Sequence, residues 1–230
     1  MKKELLYIDG IPAMLWGQPS EKIYIYVHGK MSRKEYAEQF ATVAEKRGYQ
    51  TLSFDLPEHG ERTDNAYRCD VWNGMYDLNV IANYVFEKWK QISLFACSLG
   101  AYFSLNTYVD RDFDKCLFQS PIVDMKWLVE HMMIWSGVTE KQLKQEKEIR
   151  TEVDTLRWDY YQYIQANPIN RWPFRTSILY GGKDNLQPLD SLQSFVDKFN
   201  CSLTVSEQSE HPFMSPADFD IVEKWLSENI

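Results

Sequence analysis

Three residues able to perform acyl transfer stand in the order serine, aspartate, histidine along this 230-residue chain, each where a β-rich run gives out. Ser98 lies in LFACSLGAYF, between the apolar run QISLFAC and a helical pattern that starts at Leu99 or Gly100. Asp184 closes LYGGKD, and His211 follows the run CSLTVSE and precedes a terminal helical pattern. A hydroxyl beside an imidazole is an activated nucleophile when a carboxylate holds the other ring nitrogen. The imidazole takes the hydroxyl proton, and the carboxylate fixes its tautomer and stabilises its charged form.

Ser98 would sit on a strained strand-to-helix turn, where bulky side chains two places before or after would collide with neighbouring backbone; Ala96 and Gly100 meet that demand. The turn also places the hydroxyl at a helix amino terminus, whose unpaired N–H groups can hold a developing oxyanion, so the Leu99 N–H is one expected donor. A second donor must come from a neighbouring strand end. The run KIYIYV ends in His28-Gly29-Lys30-Met31, and the Lys30 N–H is the expected donor, with Met31 behind it. His28 itself is expected to hydrogen-bond loop backbone and hold that donor in place.

Asp124, in QSPIVDM, competes with Asp184 as the orienting acid, and a helix-capping role is as natural for it. His59, in FDLPEHGER, precedes the serine and belongs to a turn with Pro57 and Gly60, which suits a structural role. His131 either lines a pocket or packs. Strand alternation aims Cys97 away from the hydroxyl and into the core.

These residues need a sheet edge to converge on, and the rest of the chain supplies one. ELLYIDGIPAMLWG predicts a β-hairpin turning near Asp9-Gly10. The runs KIYIYV, YQTLSFDLP, QISLFAC, KCLFQSP, TSILYGG and CSLTVSE alternate with helical patterns, which implies a mainly parallel sheet covered on both faces, with its chemistry at the strand carboxyl ends. The first crossover helix is expected over Arg33 to Arg47, opened by a Ser32–Glu35 capping box. A second is expected within residues 70 to 90, and a third from the turn after Ser98. The stretch from about 123 to 170 breaks the rhythm and predicts a helical cap over the sheet edge, on one domain spanning 1–230. Its Trp127, Met132, Trp135 and Trp158, with Met31, are the expected pocket lining.

Composition bounds the partners. The chain is 44% apolar, 25% charged and 15% aromatic, with 8 Trp and 14 Tyr, and one domain of this length buries a sizeable core. A net charge of −8, with lysines and arginines scattered, disfavours a nucleic-acid or anionic-membrane surface and suits a small acyl substrate. Cys69, Cys97, Cys116 and Cys201 are widely spaced with no C-x-x-C pair, so free thiols in a reducing, cytoplasmic setting are expected. No apolar stretch has the length of a signal-peptide core or a membrane span, so no stable membrane association is expected.

The strings IYVHGK, FDLPEHGER, FACSLGAYF, QSPIVDM, LYGGKDNLQP and SEHPFM together resemble the α/β-hydrolase superfamily along nearly the whole chain. The likeness is strongest to its compact esterases and its serine aminopeptidase, monoacylglycerol-lipase-like branch. Two departures stand out: Ala96 replaces the usual first glycine of the serine turn, and Glu58 stands where the D-x-P-G-H-G loop has glycine. The resemblance implies ester hydrolysis through an acyl-enzyme by Ser98, His211 and Asp184, with neither metal nor organic cofactor. A thioesterase or an aminopeptidase on the same residues, or a non-catalytic binding homologue, stays open. An aminopeptidase would need an acidic site for the substrate amine, for which the sequence offers Glu130, Glu140 and Asp159.

Overall fold

The computed structural model describes residues 1–63 and 66–230. A hairpin opens the fold, β1 (Lys3–Ile8) against β2 (Ile11–Trp16), turning through Asp9 and Gly10, both at positive φ (48° and 81°). Positive φ at both positions matches the right-handed twist of the flanking strands, which explains the Asp-Gly pair. Next come β3 (Lys22–Val27), a short 3₁₀ turn (Lys34–Ala37), α1 (Glu38–Lys46), β4 (Gln50–Phe54) and α2 (Val71–Phe86). β5 (Gln91–Cys97), α3 (Leu99–Thr107) and β6 (Cys116–Gln119) follow.

Between β6 and the next strand of the main sheet the chain forms α4 (Met125–Trp135), α5 (Glu140–Glu146), the strands β7 (Glu148–Arg150) and β8 (Thr155–Arg157), and α6 (Trp158–Ala166). It returns as β9 (Thr176–Gly181), α7 (Leu189–Phe199), β10 (Ser202–Ser206) and α8 (Pro216–Asn229). The main sheet has eight strands in the order β1-β2-β4-β3-β5-β6-β9-β10, parallel from β4 to β10, with β2 running antiparallel beside β4. Among the described residues no helix is long and apolar enough to cross a membrane.

Strand alternation divides the core. Tyr24, Tyr26 and Phe95 pack with Phe40 of α1 and Trp225 of α8 on one face, while Ile23, Ile25, Val27, Leu94 and Ala96 pack with α2 and α3 on the other. Rings interleave on the first face: Tyr26 stacks on Phe95 at 4.8 Å, and Phe40 meets Phe95 at 4.6 Å.

Two expectations need correction. The stretch 123–170 is not wholly helical, because β7 and β8 pair as an antiparallel hairpin. The Ser32–Glu35 capping box does not form: the segment opens as the 3₁₀ turn with Arg33 before it and no side-chain cap. The reason lies in tertiary structure. The Lys34 N–H donates to Asp55 Oδ1 at 2.9 Å and its ammonium to Asp55 Oδ2 at 2.8 Å, so a carboxylate at the end of β4 takes the role expected of Ser32.

Candidate active site

Strand β5 delivers Ser98 to the carboxyl edge of the sheet in a left-handed conformation, φ 49° and ψ −119°. Such backbone is strained for any residue but glycine. Its neighbours must be small to tolerate it. A Cβ on Gly100 would lie 2.3 Å from the His28 carbonyl oxygen and 2.7 Å from that of Val27, and one on Gly29 would lie 3.0 Å from Ser98 Cβ. Ala96, fully buried, faces Val27 across the β3–β5 pairing.

The structure brings the three candidate residues together. His211 Nε2 lies 2.7 Å from Ser98 Oγ, and His211 Nδ1 lies 2.6 Å from Asp184 Oδ2. Asp184 sits beyond β9, its second oxygen accepting the N–H groups of Leu186 (2.8 Å) and Gln187 (3.1 Å). Those two donors orient the carboxylate toward the imidazole. His211 follows β10, 8% exposed, and the hydroxyl of Ser120, at the end of β6, donates to its carbonyl oxygen at 2.7 Å.

The rival acid is occupied elsewhere. The Asp124 side chain accepts the Trp127 N–H at 3.0 Å and caps α4. Cys97 packs toward the α1 and α8 face, and burial pushes its thiol up to about 12, so it is no competing nucleophile.

Two histidines shape the loop after β3. His28 Nδ1 lies 2.7 Å from the Gly29 carbonyl and its Nε2 accepts the Leu56 N–H at 3.1 Å. Burial pushes His28 down to about 4, which keeps the ring neutral and its Nε2 an acceptor. His59 repeats the device: Nδ1 lies 2.8 Å from the Pro57 carbonyl and Nε2 accepts the Met31 N–H at 3.0 Å. Met31 is therefore spoken for, at φ 60°. Among the described residues, the Lys30 and Leu99 N–H groups have no hydrogen-bond partner, and both residues line the same cavity as Ser98.

That cavity measures about 690 Å³. Leu99, Ile122, Met125, Leu128, Val129, Met132, Leu156 and Leu186 give it apolar walls, and Lys30, Arg68, Asp70, Glu148, Arg150, Asp154 and Arg157 a charged rim. Met31 and Met132 line it as expected; Trp127, Trp135 and Trp158 do not. The apolar stripe of α4 that faces the cavity runs Met125, Leu128, Val129, Met132, at helical spacing, which turns Trp127 away, while Trp135, the last residue of the helix, falls outside the lining. Trp127 stacks on His131 at 3.6 Å, Trp135 is 47% exposed, and the Trp158 ring lies under Lys144 and Lys147.

Sequence reasoning missed the charged rim, Tyr160 and Ser120. Ser120 carried a legible signal, a serine at the carboxyl end of a strand beside the serine turn. Glu58 also lines the cavity at φ 62°, the backbone a glycine would favour, and its carboxylate accepts the Cys69 N–H at 2.7 Å. A residue other than glycine is strained at this φ, and the hydrogen bond anchors the glutamate side chain against the loop that carries Cys69. Among the described residues no group of three or more His, Cys, Asp or Glu side chains is arranged to hold a metal ion.

The fold has solved counterparts. Ferulic-acid-bound Est1E from Butyrivibrio proteoclasticus superposes with a TM-score of 0.80 at 17% identity, covering 98% of this chain and 96% of that one. This chain has the α/β-hydrolase fold. Mouse alpha/beta hydrolase domain-containing protein 10 matches at a TM-score of 0.78 and 14% identity, covering 99% and 98% of the two chains. The Paleococcus ferrophilus monoacylglycerol lipase matches at 0.69 and 16%, covering 95% and 98%. No protein-family model matches the chain, and no curated protein matches it by sequence.

Proposed function

We propose that the chain is a serine hydrolase that cleaves carboxylic esters of a small or medium acyl group. The carrying observation is the unbroken line from Ser98 Oγ through His211 to Asp184, 2.7 Å and 2.6 Å, opening on a cavity with apolar walls. His211 takes the Ser98 proton as the hydroxyl oxygen attacks the acyl carbonyl. The Leu99 and Lys30 amides hold the oxyanion, and His211 then protonates the leaving alcohol. Water, activated by the same imidazole, releases the acid. Asp184 holds Nδ1 protonated, so that Nε2 faces the hydroxyl as a base.

An ester is favoured over a peptide amine because the acids that do line the cavity are already engaged, Asp70 with Arg157, Glu148 with Arg68, Asp154 with Lys30 and Glu58 with the Cys69 N–H, and the acids considered for an ammonium site lie elsewhere. Glu130 accepts from the Tyr161 hydroxyl and Asp159 pairs with Arg157, and neither they nor Glu140 lines the cavity. The four cysteines are free, which supports a reducing, cytoplasmic setting.

A fluorophosphonate probe should label the wild-type chain and not Ser98→Ala, and a panel of p-nitrophenyl esters of rising chain length should show a short- to medium-chain optimum. Labelling that persists in Ser98→Ala would refute the assignment of the nucleophile.

A further inference from the structure

Among the described residues, the cavity rim holds three ion pairs that all join the same two parts. Arg68 pairs with Glu148 at 2.6 Å, Arg157 with Asp70 at 3.0 Å, and Lys30 with Asp154. In each, one partner lies in a loop at the sheet edge and the other in the hairpin of β7 and β8. Lys30 differs from the others because its own peptide N–H is the second oxyanion donor. We infer that Asp154 is a positioning residue: through the Lys30 side chain it ties the hairpin to the turn that receives the oxyanion, so that seating the hairpin over substrate sets the donor. The inference rests on the proposed function, since it needs the Lys30 amide to serve the reaction.

The geometry supports a transmitted effect. The Lys30 peptide stands between two fixed neighbours: Gly29, against Ser98 Cβ, and Met31, whose N–H is held by His59. Its side chain supplies the tie to the hairpin. At the other end Asp154 is itself held. Its N–H donates to the Thr151 hydroxyl at 3.0 Å, its carbonyl accepts from that hydroxyl at 2.7 Å, and its Oδ1 accepts the Thr155 N–H at 2.8 Å. The carboxylate is thus presented by a braced turn instead of a free side chain. Oxyanion donors act only when placed to within a fraction of an ångström of where charge develops, so a shift too small to disturb folding is enough to slow the reaction.

The pair is half exposed, with side chains 47% and 38% accessible, so its contribution is modest and screened by salt. Loss should therefore cost about fivefold, far less than loss of the nucleophile. The effect should fall on kcat, because the donor is engaged in the transition state more than in the bound ester.

The test compares wild type, Asp154→Asn, Lys30→Met, the double variant Lys30→Met/Asp154→Asn, and the charge exchange Lys30→Asp/Asp154→Lys, on a short-chain p-nitrophenyl ester. Each single change should lower kcat about fivefold with KM within about twofold, the double variant should be no worse than either, and the exchange should recover most of the rate. A trifluoromethyl ketone, which forms a tetrahedral oxyanion on Ser98, should bind the single variants more weakly by the factor lost in kcat/KM. High salt should slow wild type more than Asp154→Asn. If Asp154→Asn keeps wild-type kcat, or its whole effect lies in KM with the ketone unaffected, the coupling is wrong and Asp154 is a rim contact. Fluorophosphonate labelling separates the two levels: a wild-type chain that neither labels nor hydrolyses any ester overturns the proposed function, and this inference with it.

Discussion

A side chain on Gly100 would begin 2.3 Å from the carbonyl oxygen of His28, so the helix that follows Ser98 packs its first turn directly on the backbone that leads to the Lys30 amide. The turn of the proposed nucleophile and the loop of the proposed donor are thus one packed unit. Gly100→Ala forces backbone against backbone, with no flexible side chain able to yield. The expected outcome is loss of esterase activity by at least about 10²-fold, the scale of a lost oxyanion donor, together with a lower melting temperature. Parallel rate and thermal-melt measurements check it; a fully active Gly100→Ala would contradict the packing argument.

The acid can be assigned by substitution. Asp184→Asn keeps an oxygen for the Leu186 and Gln187 amides but cannot hold His211 with Nδ1 protonated and charged, so kcat should drop about 10³-fold to 10⁴-fold with the fold retained. Asp124→Ala should cost about 1 kcal/mol of stability, the usual scale for a lost helix cap, and leave kcat nearly unchanged. Steady-state kinetics and urea denaturation on both variants distinguish the roles.

His28 predicts a pH-dependent stability. Burial depresses its folded value to about 4, below the 6.5 of the unfolded chain. Between those values the unfolded state binds a proton that the folded state refuses, so stability falls as the pH drops from about 7 toward 4, by up to roughly 3 kcal/mol from this residue. Urea midpoints at neutral and acid pH should separate less in His28→Gln, whose amide can still donate to one backbone group and accept from the other. An unchanged separation would rule out His28 as the source.

Lys34 and Asp55 form a pair in which both side chains are almost fully buried. Burial alone would lower the ammonium, but the hydrogen bonds it donates to Asp55, Glu61 and Glu35 outweigh it and hold Lys34 above its ordinary value. Lys34→Met strands the Asp55 carboxylate and should destabilise the chain by about 3–5 kcal/mol, read from chemical denaturation at neutral pH. A loss below about 1 kcal/mol would show that water or the neighbouring N–H groups satisfy Asp55 unaided.

Much of this site was legible because its requirements are local. Small residues around Ser98, glycine before Lys30, and an acid and a histidine each just past a strand follow from what one turn of backbone tolerates, and those constraints are written within a few residues of each position. The same holds for the Asp9-Gly10 turn. The errors arose where a side chain's partner is remote in sequence. Ser32 and Glu35 carry a capping pattern, yet Asp55 supplies the acceptor. Trp127, Trp135 and Trp158 have the composition of a pocket wall, yet which stripe of α4 faces inward depends on how that helix lies against α6 and β8.

Period and local spacing thus settled the alternation of strands and helices, the sheet's two faces and the order of Ser98, Asp184 and His211, because each is a property of neighbouring residues. Folding in three dimensions decided which acid reaches His211, which amides stay unpaired beside Ser98, and how Lys30, Arg68 and Asp70 find the carboxylates and guanidinium of the β7–β8 hairpin. Those depend on side chains up to 124 positions apart in the chain meeting across a cavity, a distance over which no local pattern carries information.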